Sequence, residues 1–513
     1  MLSRIIIALL VLFGILWSTS CRKDFGYTQS QGNLTFSKDT VYLDTVFASI
    51  GSSTYTLKVY NNTKDDIIIP SISLKNGTDS FYNLNVDGVA GKTFNNVPLY
   101  AQDSLFVLIE TTIEITDNTI NEIVYTDAIQ FKSKSHQQAV ELVTLAKDAI
   151  FLFPKKDDEF NEETVVLYND DLGNPVQVNG FNLNNEDLNF TNSKSYVIYG
   201  YAIVPEGKEL IIDSGARVHF HKNSGIYVQN NALITINGEL STNEELMEGE
   251  VIFEGDRLEP EYEDLPGQWG TLWISAGSTQ NYMNHLTIKN GQIGLYVEGA
   301  TTNTGNTLII ENSKIFNNSR NNLWANNAEI KASNLILGGA GNASLAIENG
   351  GNYSFIHSTI ANYWTKGFRT SASLEISNTS YNNQEIGNDL EQTNFKNCII
   401  DGNSLNEILL TTNTTNAFNF NFQNCFIKFS ENQISTDFNN LYDFTNKERY
   451  SEILVNIEAD YFLPSKNDFR IGLDSNLINK GDINVATTTP LDIVETSRLP
   501  APDLGAFQAK EKN

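Results

Sequence analysis

The sequence is poor in cysteine and in positive charge. Its 513 residues include three cysteines, of which only Cys398 and Cys425 lie outside the N-terminal region. This excludes a disulfide framework and a cysteine-based zinc motif. The 34 lysine and arginine residues are outnumbered by 62 acidic residues, for a net charge of -28. Nucleic acid is excluded as a partner, because its phosphates need a basic protein surface.

Long apolar runs are missing too, apart from one at the N-terminus. Arg4 precedes an apolar stretch at residues 5–17, which is too short to span a bilayer comfortably. Small residues at 18–20 then lead directly to Cys21. Small residues before a single cysteine resemble a bacterial lipobox, in which that cysteine is acylated and becomes the first residue of the mature chain. An ordinary cleaved signal peptide and an uncleaved anchor are the alternatives.

The resemblance to a lipobox implies a cellular address. It implies that residues 1–20 are a lipoprotein signal peptide and that Cys21 holds the chain on a membrane. The expected place is the outer membrane or cell surface of a Gram-negative bacterium. Residues 21–31 are polar and lack periodicity, so we expect a flexible tether.

Short strands follow from residue 32 to residue 150. In the segment 55–60 apolar and polar residues alternate, which is typical of a strand with one buried face. Several such strands predict a β-sandwich, and this stretch resembles the immunoglobulin-like modules of bacterial surface proteins. The resemblance implies a fold and no functional site. Similar segments lie at 67–74, 105–109 and 139–145.

The rest of the chain reads as a solenoid. Residues 151–193 are polar and acidic, and we interpret them as a connector. From residue 194 to 485, very short strands end at Gly, Asn or Asp, with no helical stretch between them. Asparagine is abundant, and it tolerates the left-handed conformation at tight corners. Short strands without crossover helices over such a length predict a repeating β architecture.

A repeat sharpens this prediction. Two strand registers that hold together over successive turns are typical of a right-handed parallel β-helix, whose inward apolar residues stack along the axis. A template of apolar, asparagine-like, small and apolar residues recurs at 283–288, 310–315, 330–335, 355–360, 376–381, 395–400 and 422–427. A second short strand follows at 295–297, 323–325, 345–347, 368–370, 390–392 and 408–410.

The two remaining cysteines occupy equivalent positions of the template. We therefore expect Cys398 and Cys425 on stacked coils, with their Cα atoms about 5 Å apart. Side chains stacked in register point the same way, which does not favour a disulfide dihedral angle. The prediction is two buried, reduced thiols.

Distinctive motifs of this region lie at 210–238, 253–257, 266–270, Asp492, Arg498 and 502–507. They resemble motifs of bacterial outer-membrane lipoproteins with a right-handed parallel β-helix, in the pectate-lyase-like fold superfamily. The resemblance covers roughly residues 190–508 and implies the fold without the chemistry, because that fold hosts lyases, hydrolases, epimerases and adhesins. Residues 486–513 are expected to form a cap that closes the exposed strand edge of the last coil, and a tail.

One set of outward positions predicts a ligand site. Tyr296, Trp324, Ala346 and Arg369 are expected at the same outward position on successive coils. Aromatic faces at this spacing suit sugar rings, and an arginine suits the carboxylate of an acidic sugar. Tyr296, Trp324 and Arg369 are therefore the candidate glycan-binding residues. The alternative is that a loop or the N-terminal domain packs on them.

An acidic loop is the candidate metal site. Its hard carboxylate oxygens could hold calcium, and a charge run that is merely solvated is the alternative. No other cofactor is indicated. The candidate ligands are Asp256, Glu259, Glu261, Glu263 and Asp264.

No catalytic residues are predicted. Glu391 follows Arg369 by one coil in the alignment, and we expect an ion pair between them instead of a catalytic pair. His219 and His221 share one face of a strand, but no third metal ligand accompanies them.

The sequence thus favours a non-catalytic envelope lipoprotein that contacts glycans or partner proteins along its β-helix. A polysaccharide lyase or glycoside hydrolase acting on an extracellular glycan is the alternative. A structural, assembly or adhesin role in the envelope is the second alternative. Carboxylates that converge on one groove would favour the enzyme, and an aromatic strip without them would favour binding.

Overall fold

The computed structural model describes residues 26–116, 120–133, 136–169, 173–300, 305–380, 383–430 and 440–512. The chain forms two compact units, with the boundary between Asp148 and Ala149. The predicted signal peptide, Cys21 and the first residues of the predicted tether lie outside the described ranges. Within those ranges, no helix has the length and apolar character needed to cross a membrane.

The first unit is a β-sandwich. Its two sheets share one apolar core, in which Leu57, Val107 and Ile129 are fully buried. One sheet has six described strands, Thr28–Gln29, Thr40–Phe47, Ile67–Leu74, Thr93–Leu99, Glu122–Lys132 and Gln137–Lys147. The other has five described strands, Thr35–Phe36, Tyr55–Tyr60, Tyr82–Val86, Val89–Gly91 and Ser104–Thr111.

The sandwich begins earlier than the sequence predicts. Thr28–Gln29 pairs in parallel with Ile67 and Ile68, and Ser30 is buried. The end of the segment 21–31, predicted as a flexible tether, is therefore part of a sheet. Its polar residues carry no apolar alternation, so the strand leaves no signal in the sequence.

The second unit is a right-handed parallel β-helix whose coils contribute strands to three sheets, here called A, B and C. The described strands of sheet A are Ala149–Leu152, Ser195–Ile198, Arg217–Phe220, Val251–Gly255, Leu286–Lys289, Lys314–Asn318, Ile336–Ala340, Thr359–Asn362, Ile399–Gly402, Phe426–Ile427 and Leu454–Val455. Those of sheet B are Thr164–Asn169, Pro175–Asn182, Tyr201–Val204, Gly225–Val228, Leu272–Ile274, Leu295–Glu298, Leu323–Asn326, Leu345–Glu348, Leu374–Ser377 and Ile408–Thr411. Those of sheet C are Asn189–Phe190, Glu209–Asp213, Leu233–Asn237, Asn281–Asn284, Leu308–Glu311, Glu329–Ser333, Gly351–Ile356, Leu390–Lys396, Asn421–Gln423 and Tyr450–Ser451.

Smaller elements complete the described structure. Two hairpins lie outside the three sheets, Thr379–Ser380 with Asn383–Gly387 and Tyr461–Leu463 with Asp468–Ile471. The described helices are short, an α-helix at Ile483–Ala486 and 3₁₀ turns at Gly77–Asp79, Asn185–Asp187, Pro260–Tyr262 and Pro464–Lys466.

Asparagine forms the corner between sheets C and A. The corner residue has a positive φ, as at Asn312, Asn334 and Asn397 (47, 50 and 55°), and His357 takes this corner on the coil between the last two. Asparagine adopts this left-handed conformation more readily than other residues with a side chain. The amides also stack, because Asn334 donates to Asn312 at 2.8 Å and Asn312 donates to Asn284 at 2.9 Å. This corner accounts for part of the abundance of asparagine in the sequence.

The interior is a column of stacked apolar side chains. Phe355, Phe395, Phe422 and Tyr450 follow one another on successive strands of sheet C, with ring centroids 5.0, 4.8 and 5.6 Å apart and nearly parallel planes. All four are fully buried. Each coil thus buries its inward residues against the coils above and below it.

Residues 151–193, interpreted as a connector, form the first coil of the solenoid. Ala149–Leu152 pairs with the next strand of sheet A, and Asn189–Phe190 pairs with the next strand of sheet C. The antiparallel hairpin of Thr164–Asn169 and Pro175–Asn182 opens sheet B. The interpretation as a connector is wrong, because this segment contributes strands to all three sheets. Polar and acidic loops lie between these strands and dominate the composition of the segment.

One coil is much longer than its neighbours. Phe355 pairs directly with Phe395, whereas the template places an extra coil start at 376–381 between them. That prediction is wrong, because the strand Leu374–Ser377 belongs to sheet B of the same coil. A loop before this strand and a hairpin after it make the coil long enough to imitate two coils.

The C-terminal segment lies along the outer face of sheet A instead of closing the last coil. Outward residues of that sheet, among them Ile336 and Ile399, form an apolar cluster with Phe469 and Phe507. All four side chains are buried. The predicted cap at 486–513 is therefore a cover on the side of the solenoid.

Buried polar contacts hold this cover in place. Arg498 is fully buried, and its Nη2 donates to Oδ1 of Asn334 at 2.8 Å and to the carbonyl of Ala506 at 3.0 Å. Asp492 accepts the backbone N–H of Gln508 at 2.8 Å. Because Asn334 belongs to a middle coil, the motif does not meet the expectation of a cap on the last coil.

Both cysteines follow their prediction. Cys398 and Cys425 are free and buried, and the residues around them are paired in register on neighbouring coils. The Sγ of Cys398 donates to the carbonyl of Phe355 at 3.4 Å. The predicted coil register at this corner is confirmed.

Candidate functional site

Aromatic side chains occupy one outward position of sheet B on successive coils. The register pairs Tyr227 with Trp273, Trp273 with Tyr296 and Tyr296 with Trp324. Ala346 follows on the next coil. The residues that flank each ring along its strand point into the core, so alternation sends the rings outward. The predicted placement of Tyr296 and Trp324 on neighbouring coils is confirmed. The four rings are called the aromatic ladder below.

The rings touch one another along the axis. Centroids are 5.2 Å apart from Tyr227 to Trp273, 5.1 Å from Trp273 to Tyr296 and 4.8 Å from Tyr296 to Trp324. The hairpin of the first coil covers the upstream end, where Tyr168 lies 5.6 Å from Trp273. Tyr227 is buried there, whereas Tyr296 and Trp324 are half-buried. At the upstream end of the ladder, the rings therefore pack under another segment of the chain, which is the alternative to ligand binding that the sequence left open.

Arg369 does not belong to the ladder, and its predicted position is wrong. The residue paired with Ala346 is Glu375, because Arg369 lies in the loop that lengthens this coil. Arg369 forms an ion pair with Glu407 at 2.7 Å, and the two side chains are 3% and 0% exposed. The predicted pair with Glu391 is replaced by this buried one. Glu375, an acidic residue, thus occupies the outward position at which the sequence analysis predicts the basic residue Arg369.

The ladder lines a groove on the outer face of sheet B. Its main cavity has a volume of about 610 Å³ and is lined by three of the rings together with Glu298, Arg320 and Glu348. A second cavity of about 270 Å³ also contains Glu348. It is lined further by Glu375 and by the hydroxyl-bearing residues Ser377, Thr379, Ser380 and Thr411. Three glutamates therefore share one groove with the aromatic ladder.

Glu298 supports the rings. Its carboxylate accepts hydrogen bonds from Nε1 of Trp273 at 2.8 Å and from the hydroxyl of Tyr296 at 2.9 Å. Burial raises the pKa of Glu298, and these two donors oppose that rise in part. Burial, with the nearby charge of Glu298, also raises the pKa of Tyr296. The arrangement fixes both rings at the floor of the groove.

Glu348 lies next to Trp324. Burial raises the pKa of its carboxyl, and the indole N–H of Trp324 and the charge of Arg320 lower it in part. Nε1 of Trp324 is buried, and within the described ranges it makes no hydrogen bond of good geometry. The guanidinium of Arg320 stands 5.4 Å from the centroid of the Trp324 ring.

Glu375 lies one coil further along. Burial raises the pKa of its carboxyl, and the charge of Glu348 adds to the rise. The backbone N–H of Ala372 donates to Oε1 of Glu375 at 3.2 Å, and this bond and the charge of Arg369 act the other way. Two carboxyls that influence one another on neighbouring coils are a common arrangement in sites that move protons.

The groove was only partly accessible to sequence reasoning. Glu298 and Glu348 follow their ladder positions by two residues, so the alternation that predicts Tyr296 also places both carboxylates on the outer face. Trp273 carries the same signal in its strand. Glu375 carries none, because its coil is misaligned by the long loop.

The acidic loop does not assemble into a calcium site. Asp256 lies 2.7 Å from Nδ1 of His221, and Glu259 forms an ion pair with Arg257 at 2.8 Å. Asp264 pairs with Lys466, which lies between the two strands of the hairpin Tyr461–Leu463 and Asp468–Ile471. Each of these carboxylates thus turns toward its own partner.

The remaining predicted calcium ligands, Glu261 and Glu263, are exposed. Among the described residues, no group of three or more His, Cys, Asp or Glu side chains is placed to hold a metal ion. The donor set of the loop therefore does not fit calcium, which needs six or more converging oxygens.

Comparisons with known proteins give distant similarities. No family model and no curated protein matches the chain. Among solved structures, the pectate lyase Pel9A has 14% identity and a TM-score of 0.27, over 71% of this chain and 88% of that one. The GH87 α-1,3-glucanase of Streptomyces thermodiastaticus has 9% identity and a TM-score of 0.20, over 78% and 66%. A family 123 glycoside hydrolase from Clostridium perfringens has 6% identity and a TM-score of 0.18, over 24% of this chain and 28% of its own. At such scores the assignment of the fold rests on the strand pairing, and no function is transferred.

Proposed function

We propose that the chain is an exported envelope lipoprotein that binds a neutral glycan along the groove of sheet B. The observation that carries the proposal is the aromatic ladder, which lines a cavity of about 610 Å³ together with polar and acidic side chains. Apolar walls with a few convergent polar groups are typical of ligand sites in proteins.

The spacing of the ladder suits an elongated ligand. Neighbouring coils are about 4.8 Å apart, and the ring centroids of Tyr296 and Trp324 are separated by 4.8 Å. Sugar units of a chain lying along the axis would meet successive aromatic side chains. Each such contact contributes about 1 kcal/mol, so useful affinity depends on several sugars binding at once.

Charge supports a neutral ligand over an acidic one. The sequence-based argument for an acidic sugar rests on Arg369, whose side chain is buried against Glu407. The groove holds Glu298, Glu348 and Glu375, and Arg320 at its rim. The net charge of -28 would also repel a polyanion at long range. Hydroxyl-rich polymers without carboxylates are therefore the proposed ligand class.

The localisation of the chain at the cell envelope remains a proposal that rests on the sequence around Cys21. An acylated Cys21 would hold the groove near the membrane surface, where an extracellular polysaccharide can reach it. Mass spectrometry of the membrane-extracted chain tests this point. A mature chain without an acylated Cys21 at its N-terminus would contradict it.

Titration of the detergent-solubilised full chain with neutral and uronic-acid polysaccharides tests the binding. Trp324→Ala should raise Kd for a neutral polymer about fivefold, since about 1 kcal/mol of stacking is lost. Tyr100→Ala is the matched control, because Tyr100 is 50% exposed on the separate sandwich unit. Unchanged affinity of Trp324→Ala, or binding confined to uronic-acid polymers, would overturn the proposal.

A further inference from the structure

We infer that Glu348 and Glu375 form an acid–base pair that hydrolyses a glycosidic bond of a neutral glycan held in the groove. The inference rests on the proposed function and adds a reaction to it. Its basis is the place of the pair in the groove, the spacing of the two strands and the surroundings of each carboxyl.

The pair stands where the character of the groove changes. On one side lie Trp273, Tyr296 and Trp324, whose rings form the floor of the larger cavity. On the other side, the smaller cavity is lined by hydroxyl groups, among them those of Ser377 and Thr411. Glu348 lines both cavities. A glycan chain along the axis would stack sugars on the aromatic side, hydrogen-bond sugars on the hydroxyl side, and cross the carboxyls between them.

The strand register sets the distance between the Cα atoms of Glu348 and Glu375. Ala346 pairs with Glu375 on the next coil, and Glu348 lies two residues after Ala346 on the same outer face. A strand spacing of about 4.8 Å and a rise of about 6.6 Å over two residues put their Cα atoms about 8 Å apart. Inverting hydrolysis requires two carboxyls roughly 6.5–9.5 Å apart, which leaves room for a water molecule. Two outward side chains that start from Cα atoms about 8 Å apart are compatible with that separation.

The surroundings divide the roles. Burial raises the pKa of the Glu348 carboxyl, which favours the protonated form that a general acid needs. Burial and the charge of Glu348 raise the pKa of Glu375 as well, whereas the backbone N–H of Ala372 and the charge of Arg369 favour its carboxylate form. The part of the rise that comes from the charge of Glu348 disappears when Glu348 holds a proton, so Glu375 is the partner assigned as the general base. Glu298 already accepts hydrogen bonds from Trp273 and Tyr296. It therefore positions the floor and takes no part in the proton transfers.

The reaction consumes one water molecule for each bond cleaved. Glu348 gives its proton to the glycosidic oxygen while the bond from that oxygen to the anomeric carbon breaks, and the electron pair stays with the leaving oxygen. Water attacks the anomeric carbon from the opposite face and gives a proton to Glu375. A proton returns from Glu375 to Glu348 through solvent, which restores the pair. The new reducing end has the inverted configuration.

The experiment incubates the full chain with laminarin, xylan, mannan, pullulan and dextran, and measures both binding and the release of reducing ends. We expect cleavage of at least one polymer that the wild type binds. Glu348→Gln and Glu375→Gln should each lower the rate by about 10²–10⁴-fold, while Kd changes by less than about threefold. Glu391→Gln, at an exposed site on sheet C, is the matched control and should cleave like the wild type.

The outcomes separate this inference from the proposed function. Binding of a neutral polymer without any release of reducing ends overturns the inference and leaves the binding proposal standing. Failure to bind any of the five polymers overturns both. Cleavage at the wild-type rate by Glu348→Gln or Glu375→Gln, or a retained configuration by NMR of the first product, also overturns the inference. Thermal melting of each variant checks that a loss of rate does not come from unfolding.

Discussion

The outer faces of sheets A and B are built from the same coils and are used in opposite ways. On sheet A, outward residues such as Ile336 and Ile399 are apolar, and Phe469 and Phe507 of the C-terminal segment bury them. On sheet B, rings and glutamates share the outward positions, and no described segment buries Trp324 fully.

The difference shows how an outward position in a solenoid can be interpreted. Aliphatic or small residues mark a face that the chain itself covers: a Cβ added to Gly338 of sheet A would lie 2.3 Å from the Phe469 ring. Aromatic residues that alternate with carboxylates mark a face suited to a ligand with both apolar and hydroxyl surfaces. The repeat builds the strands of both sheets in the same way. The function of each face therefore depends on which side chains stand at its outward positions.

The first way to break the comparison concerns the loop at the downstream end of sheet B. Arg369→Met should lower the free energy of unfolding of the β-helix by about 3–5 kcal/mol, because the buried Glu407 would lose its cationic partner. Chemical denaturation measures the loss. Replacing both residues, Arg369→Met with Glu407→Leu, should restore only part of it, because the N–H groups of Ser373 and Ser404 also donate to Glu407. A loss below about 1 kcal/mol in the single variant would contradict the buried pair.

The second prediction concerns the cover on sheet A. Arg498→Met should lower the free energy of unfolding by about 2–3 kcal/mol, since its hydrogen bonds to Asn334 and Ala506 are lost. The C-terminal segment should also become sensitive to protease. Arg320→Met, at the exposed rim of the groove on sheet B, should change stability by less than about 0.5 kcal/mol. Equal effects of the two variants would show that the faces do not differ as described.

The smallest expected effect concerns the charge of Arg320 and the pH dependence of cleavage on the open face of sheet B. Cleavage should fall as pH rises through the pKa of Glu348, which must hold its proton, and as pH falls through that of Glu375, which must be ionised. The positive charge of Arg320 lowers the pKa of Glu348. Arg320→Gln should therefore move the alkaline limb of kcat to higher pH by about half a unit. Lys366→Gln, at an exposed site, is the control, and a shift toward lower pH would contradict the assignment of Glu348 as the acid.

Sequence reasoning reaches the parts of this structure that repeat. The inward apolar residues recur on successive coils and the corner asparagines on several of them. The β-helix, the stacked Cys398 and Cys425, and the neighbouring Tyr296 and Trp324 therefore follow from periodicity. Where one coil carries extra loops, the register is lost, and Arg369 is exchanged for Glu375.

The position of the C-terminal segment on sheet A could not be predicted from the sequence, for a different reason. The motif of Asp492, Arg498 and the following residues has no period, and nothing in its composition says which coil it contacts. The hydrogen bond from Arg498 to Asn334 joins residues that are far apart in the chain. Such contacts depend on the three-dimensional path of the C-terminal segment.

Hydroxyl-radical footprinting of the full chain, with and without a neutral polysaccharide, tests the central claim most directly. We predict that oxidation of Trp273, Tyr296 and Trp324 falls when the polymer is added. Phe469 and Phe507, on the covered face, should be oxidised little in either state, and the exposed Tyr100 should be oxidised equally in both. Protection of Tyr100 with no change at the three rings would contradict a ligand groove on sheet B.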